Sequence, residues 1–154
     1  MKTTVITLVL LLCAFCFSAH AKALNSEIAD YEVEQLASLL EVDKTDISVE
    51  ILYDLNENPS FLLADISPQG YAIVFREASK ISEMSTEGEP GSPYGSALGK
   101  KYYAGPMCYI VKNDDTYTDV LTGKALSNAD IVRARSATEQ ALEKLHQMQG
   151  DEVK

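Results

Sequence analysis

The stretch LYDLNENPSFLLADISPQGYAIVFR, residues 52–76, decides the fold of this chain. Its first apolar run ends at the turn residues 56–59, where a proline removes a backbone donor that a central strand would need. A second run at 61–66 leads through a tight connection at 67–70 into a third run at 71–76. Short apolar runs separated by turn residues predict a three-stranded antiparallel meander.

The flanking sequence extends this sheet on both sides. Residues 47–55 alternate apolar and polar side chains with period two, which predicts a half-buried strand, and residues 80–85 alternate again and predict a fourth strand. Glycine and proline then interrupt residues 86–99, where we expect a long loop that is functional or mobile. Beyond it, the patterns at 107–111 and 117–121 predict two strands of a hairpin joined by a turn.

Helical periodicity occurs at both ends of the globular region. Residues 26–41 are predicted to form a helix capped by Asn25 or Ser26, and Ser127 with Asp130 forms a capping box that opens a last helix. The fold class is therefore α+β, with an antiparallel sheet of meander plus hairpin packed on one face by an N-terminal and a C-terminal helix. The inward stripe predicted for the last helix comprises Ile131, Ala134, Thr138, Ala141, Leu142, Leu145 and Met148.

The N-terminus has the pattern of a secretory signal peptide. A short positive start precedes an apolar run at residues 5–17, and Ala19 and Ala21 occupy the small-residue positions of a cleavage site. The run is shorter than the roughly 20 residues that a membrane-spanning helix needs, although an uncleaved N-terminal anchor is the alternative. We therefore expect a signal peptide at 1–21 cleaved after Ala21, and a secreted or periplasmic, envelope-exterior domain at 22–154 with no transmembrane segment.

Composition narrows the class of partner. The formal net charge is −10, which disfavours nucleic acid because its binding depends on phosphate neutralisation by lysine and arginine. Cleavage would leave Cys108 as the sole cysteine, so no intramolecular disulfide could form and the fold must rest on its core. About 130 residues suffice for one such domain.

No residue pattern indicates catalysis, a metal or a cofactor. Cys108 and His146 could form a thiol dyad only if they met, and Cys108 lies in an apolar strand pattern where a structural thiol is the usual interpretation. Asp54 begins a calcium-loop-like pattern, but Pro59 stands where such a loop needs glycine, so we expect an ordinary Asx turn. Zinc spacings and phosphate-binding loops do not occur. We expect a protein that is not an enzyme.

Tyrosines cluster around the long loop and its exit. Tyr94, Lys101, Tyr102 and Tyr103 are the candidate binding residues, because tyrosine offers a stiff amphipathic contact surface and is enriched at interfaces. The alternative is that these tyrosines pack on the sheet, which is the favoured interpretation for Tyr109.

Three segments of the sheet carry a family resemblance. The runs at 52–56, 61–66 and 70–74 resemble the propeptide of streptopain-type cysteine proteases and related small inhibitors, whose similar strands form part of an antiparallel sheet packed by helices. The resemblance covers about residues 47–85. It implies a cysteine protease as partner and an inhibitor or chaperone as function. Because no catalytic domain follows in this sequence, we expect the protein not to be a protease itself.

Two functional hypotheses follow from these patterns. The first is a secreted, non-enzymatic protein-binding module that inhibits or chaperones a cysteine protease, laying residues 86–99 over the active-site cleft. The alternative is a cell-envelope accessory protein that binds a wall component or small ligand through the region from Tyr94 to Tyr103.

Overall fold

The computed structural model describes residues 27–88, 91 and 93–151, and it confirms the predicted α+β class. The predicted signal peptide and the caps at Asn25 and Ser26 lie outside the described residues. The elements are α1 (Asp30–Leu40), a 3-10 turn (Lys44–Asp46), β1 (Ile47–Leu52), β2 (Phe61–Ile66), β3 (Tyr71–Phe75), β4 (Lys80–Ser85), β5 (Lys100–Tyr103), β6 (Tyr109–Asn113), β7 (Thr116–Asp119) and α2 (Asn128–Asp151).

The strands form two antiparallel sheets instead of one. The meander makes a four-stranded sheet in the order β1-β2-β3-β4, and the hairpin gains β5 to make a three-stranded sheet in the order β5-β6-β7. The sheets meet at one parallel bridge between Tyr53 and Tyr102. There the Tyr53 N–H donates to the Lys101 carbonyl at 3.0 Å, and the Tyr103 N–H donates to the Tyr53 carbonyl at 2.9 Å.

Helix α1 covers the outer face of the four-stranded sheet. Leu36 packs on Leu62, Ala64, Ala72 and Val74 in an aliphatic cluster. A buried ion pair fixes one end of the helix, because the Arg76 guanidinium donates to both carboxylate oxygens of Glu32, at 2.6 and 2.8 Å. Glu32 also accepts the backbone N–H of Ala29 at 2.9 Å and so caps the helix that it anchors.

The inner face of the four-stranded sheet packs on the three-stranded sheet. Leu52, Phe61, Leu63 and Ile73 meet tyrosines from β5, β6 and the loop before them. Each sheet has two apolar faces, and the two helices pack on different sheets. Helix α1 lies on the outer face of the four-stranded sheet, while Ile131 of α2 packs on the face of the three-stranded sheet that points away from the inter-sheet core. The expectation that both helices share one face was wrong.

Helix α2 begins as the capping box predicts. Asp130 accepts from the backbone and hydroxyl of Ser127, and the Ser127 hydroxyl accepts the Asp130 N–H. Thr138 of the predicted stripe is buried and Leu142 and Leu145 are half-buried, but Ala141 is exposed. Among the described residues, no helix combines the length and the apolarity needed to cross a membrane.

Several strand boundaries differ from the predicted ones. The first strand stops at Leu52 because the chain turns at Asp54, and the hairpin strands run from Tyr109 to Asn113 and from Thr116 to Asp119. Strand β5 was not predicted, since KKYY has no two-residue periodicity of apolar and polar side chains. It forms through pairing with β6 in the register Lys100 to Lys112 and Tyr103 to Tyr109.

Candidate functional site

The structure places the predicted binding tyrosines in the interior. Tyr94, Tyr102 and Tyr103 are only 2%, 0% and 0% exposed, and the side chain of Lys101 is 15% exposed. Tyr94 and Tyr103 lie in the core between the sheets, whereas Tyr102 packs on the α2 side of the three-stranded sheet. The three rings are therefore packing residues that offer a partner little accessible surface.

Tyr94 anchors the β4–β5 loop, residues 86–99, to the core. Its hydroxyl donates to the Tyr102 carbonyl at 2.6 Å, and its ring lies edge-on to Tyr109 with centroids 5.7 Å apart. Lys101 Nζ lies 5.8 Å from the centre of the Tyr94 ring. A buried aromatic ring with a satisfied hydroxyl fixes a loop firmly, because moving it would expose the ring and leave an acceptor unpaired.

Hydrogen bonds and a close backbone approach also fix the end of the loop, residues 97–99. The Ala97 N–H donates to the Tyr94 carbonyl at 2.9 Å, and Asn113 Nδ2 donates to the Leu98 carbonyl at 3.2 Å. Gly99 has φ +105°, and a Cβ there would lie 2.6 Å from the Lys112 carbonyl oxygen, so only glycine fits this close approach. Between these fixed points the Leu98 side chain is 81% exposed. The fold thus presents one large apolar side chain from a constrained loop.

Asp65 lies beneath the entry to the same loop. Its carboxylate accepts the backbone N–H of Gly91, with Lys101 and Glu50 nearby, and burial raises its pKa above the ordinary value of 3.8. Its Oδ1 atom is buried without a hydrogen-bond partner among the described residues.

A second carboxylate, that of Glu83 in β4, contacts tyrosines of the inter-sheet core. Glu83 Oε1 accepts from the hydroxyls of Tyr71, at 2.7 Å, and Tyr109, and its Oε2 accepts from Tyr103 at 3.1 Å. Ser82 lies 3.1 Å from the Tyr103 hydroxyl. Burial is the main cause that raises the pKa of the three tyrosines, so these phenols stay protonated donors. We call Glu83 with these three tyrosines the Glu83 cluster.

A charged and aromatic patch lies near the exit of the loop. Glu57 pairs with Lys100 and accepts the Tyr102 hydroxyl at 2.7 Å, and hydrogen bonds and charge from Lys100 hold its pKa low despite partial burial. Lys100 Nζ lies 3.7 Å above the centre of the Tyr53 ring. Because Lys100 is already compensated by Glu57 and the ring, the patch fixes the strand end more than it offers a free cation.

The groups considered for chemistry do not assemble. Cys108 packs beside Tyr102 and Ile110, and burial raises the pKa of its thiol, whereas His146 bonds to Glu77 at 2.8 Å and packs edge-on against Phe75. The described contacts do not bring Cys108 and His146 together. Within the described parts of the chain, no group of three or more histidine, cysteine, aspartate or glutamate side chains is placed to hold a metal ion.

Asp54 forms the Asx turn that the sequence predicts. It is buried and accepts the backbone N–H groups of Asn56 and Asn58 at 2.8 and 3.0 Å and the hydroxyl of Ser60 at 2.9 Å. The turn forms one wall of a shallow groove of about 580 Å³ against α2. Its other lining residues include Glu139, Leu142, Glu143 and His146.

No protein-family model, no curated protein and no solved structure matches the chain.

The sequence patterns indicated the loop but did not single out Leu98 within it or Glu83 in the preceding strand. Leu98 stands in a glycine-rich segment with no periodicity, so its exposure could not be read from the pattern. Glu83 occurs as an ordinary outward polar residue in an alternating strand. The only local hint is the mixed sequence KISEMS, in which a bulge would change the face on which each residue lies.

Proposed function

We propose that the mature protein is a secreted, non-enzymatic protein-binding module that acts on a cysteine protease as a propeptide-like inhibitor or chaperone. The partner class comes from the resemblance of residues 47–85, which in the structure comprise the four-stranded sheet. The observation that carries the binding role is the exposed Leu98 side chain in a loop fixed on both sides.

Loop constraint favours binding for an energetic reason. A flexible segment loses conformational freedom when a partner immobilises it, and a pre-ordered segment avoids much of that cost. Tyr94 and Asn113 fix the backbone on either side of Leu98. An apolar side chain presented in this way would fill a hydrophobic pocket of a protease cleft, and the surrounding small residues would let two backbones approach closely.

The alternative of a wall-binding accessory protein has less support. Sugar recognition through the region from Tyr94 to Tyr103 would rely on accessible rings for stacking. Tyr94, Tyr102 and Tyr103 are buried, which leaves this region with little aromatic surface. We therefore favour the protein-binding hypothesis.

Inhibition assays test the proposal directly. Purified protein beginning at residue 22 is mixed with papain-like and streptopain-like proteases, and residual activity and complex formation are measured at micromolar concentration. Refolding yield of the denatured protease, with and without the protein, tests the chaperone role. Absence of inhibition, complex and refolding effect would remove the proposal, and thermal stabilisation by glycans but not by proteases would support the alternative.

Two leucine variants locate the contact. Leu98→Ser should weaken inhibition at least tenfold, since an apolar anchor contributes a few kcal/mol at an interface, about 2 or more for a hot spot. Leu121→Ser is the matched control, because Leu121 is also an exposed leucine, 50% accessible, after β7. Equal inhibition by both variants would place the contact elsewhere.

A further inference from the structure

A β-bulge in β4 orients the Glu83 side chain. Ile73 pairs with Glu83 and Val74 pairs with Ile81, so Ser82 is an extra residue in β4. A bulge of this kind leaves one residue unpaired and changes the strand's alternation. Both Ser82 and Glu83 therefore reach the Tyr103 hydroxyl, at 3.1 Å each. At the bulge, the half-buried Glu83 thus presents its carboxylate to the tyrosines of the inter-sheet core.

The Glu83 cluster connects this carboxylate to the loop. Glu83 accepts the hydroxyl of Tyr109, and the Tyr109 ring supports the edge of the buried Tyr94 ring. The Tyr94 carbonyl in turn accepts the Ala97 N–H, one residue before Leu98. Each link is a direct contact, so the orientation of Tyr109 determines where Tyr94 and the backbone after it can lie.

From this chain of contacts we propose that Glu83 is a positioning residue for the β4–β5 loop: its carboxylate fixes Tyr109, Tyr109 fixes Tyr94, and Tyr94 sets the orientation of Leu98. The inference rests on the proposed function for its biological meaning, since Leu98 is the proposed contact. Its structural content can be tested without a partner. Hydrogen bonds to a charged acceptor are stronger than those to a neutral one, so the carboxylate is the stronger choice for holding a phenol.

Amide hydrogen exchange in the intact mature protein gives the decisive readout. The Gly95 N–H donates to the Gly91 carbonyl at 2.8 Å and the Ala97 N–H to Tyr94 at 2.9 Å, so both report loop order. The Arg76 N–H, bonded to the Ser60 carbonyl at 3.0 Å, reports the sheet away from the cluster. In Glu83→Gln, exchange at Gly95 and Ala97 should accelerate about tenfold while exchange at Arg76 stays unchanged.

Two further variants make the result specific. Tyr109→Phe keeps the ring but removes the hydroxyl that Glu83 accepts, so it should reproduce the loop acceleration even if Glu83→Gln folds poorly. Glu77→Gln is the matched control, because Glu77 contacts His146 instead of the cluster, and it should leave Gly95 and Ala97 unchanged. Unaltered loop exchange in both cluster variants would overturn the inference. Equal acceleration at Arg76 would also overturn it, because that pattern indicates a general loss of stability.

Protease assays separate this inference from the proposed function. If the wild-type protein inhibits a protease, Glu83→Gln should weaken inhibition about tenfold while Glu77→Gln does not. Undiminished inhibition by Glu83→Gln would count against positioning. If the wild-type protein inhibits nothing, the proposed function fails, and the exchange pattern alone decides whether Glu83 positions the loop.

Discussion

The two faces of the four-stranded sheet are held by different chemistry. The outer face packs aliphatic side chains against α1, and the buried charged pair of Arg76 and Glu32 lies at the end of the helix. The inner face packs tyrosines, whose hydroxyls must each find an acceptor once buried. Glu83 and the Tyr102 carbonyl supply acceptors for them.

The two faces therefore have different roles: the outer face stabilises the fold, and the inner face sets the orientation of a loop. Aliphatic contacts are non-directional, so the outer face stabilises the fold without fixing any loop. Hydrogen-bonded tyrosines require particular orientations and therefore specify where Tyr94 and its loop lie. The loop lies on the inner face, where directional contacts are available to hold it.

The largest expected effect is on the ion pair of the outer face. Glu32→Ala should lower the free energy of unfolding by about 3–5 kcal/mol, because it leaves the buried Arg76 guanidinium without its carboxylate. Urea denaturation measures the change. Glu34→Ala is the control, since Glu34 forms an exposed pair with Lys44 at 3.1 Å and should change stability by about 0–1 kcal/mol. Equal effects in the two variants would show that burial of the pair is unimportant.

Next in size is the aliphatic packing of the same face. Leu62→Ala should cost about 2–5 kcal/mol through lost burial and a residual cavity. The cost should not depend on pH between neutrality and mild acid, because the cluster contains no titratable group. Leu98→Ala, at an exposed leucine, should remain within about 0.5 kcal/mol. A cost below 1 kcal/mol for Leu62→Ala would contradict the assigned core.

The tyrosine face should limit stability in alkali. Burial raises the pKa of Tyr94, Tyr103 and Tyr109 above the ordinary value of 10.0, so the folded state keeps protons that the unfolded state releases. Their contribution is fully present below pH 10 and is lost as pH rises above it, by about 1.4 kcal/mol per pH unit for each tyrosine. Tyrosinate absorbance followed during alkaline titration should rise together with unfolding. Ionisation of these phenols in the folded protein would refute their assigned burial.

The smallest expected effect is the pH dependence of stability that is due to Asp65. This dependence has the opposite sign to that of an ordinary surface aspartate. Because burial raises its pKa, its contribution to stability is present at or below pH 3.8 and is lost as pH rises through the elevated pKa. Asp65→Asn should abolish that decline. Asp43 is the control, since hydrogen bonds from Thr45 lower its pKa and its contribution is lost as pH falls. Stability curves from acid to neutral pH for Asp65→Asn and Asp43→Asn should therefore diverge in opposite directions from the wild type.

Much of the fold was predictable because it depends on local patterns. The strand at residues 61–66 and the Ser127–Asp130 cap were confirmed at the predicted positions, since apolar runs bounded by turn residues and capping boxes depend on neighbouring residues alone. Strand β5 was missed because Lys100 and Lys101 carry no periodic signal and become a strand only by pairing with β6. The candidate site was half predicted: the loop was identified, but the burial of its tyrosines was left open.

The sequence by itself determined the α+β class, the meander and the position of the long loop, because hydrophobic periodicity and turn residues act over a few neighbours. Only the tertiary structure decided that the strands divide into two sheets and that the helices lie on different faces. It also decided that Leu98 is presented from a loop anchored by Tyr94. Those features depend on contacts between residues far apart in the chain, such as Tyr53 with Tyr102 and Glu83 with Tyr109, and local patterning does not specify such pairs.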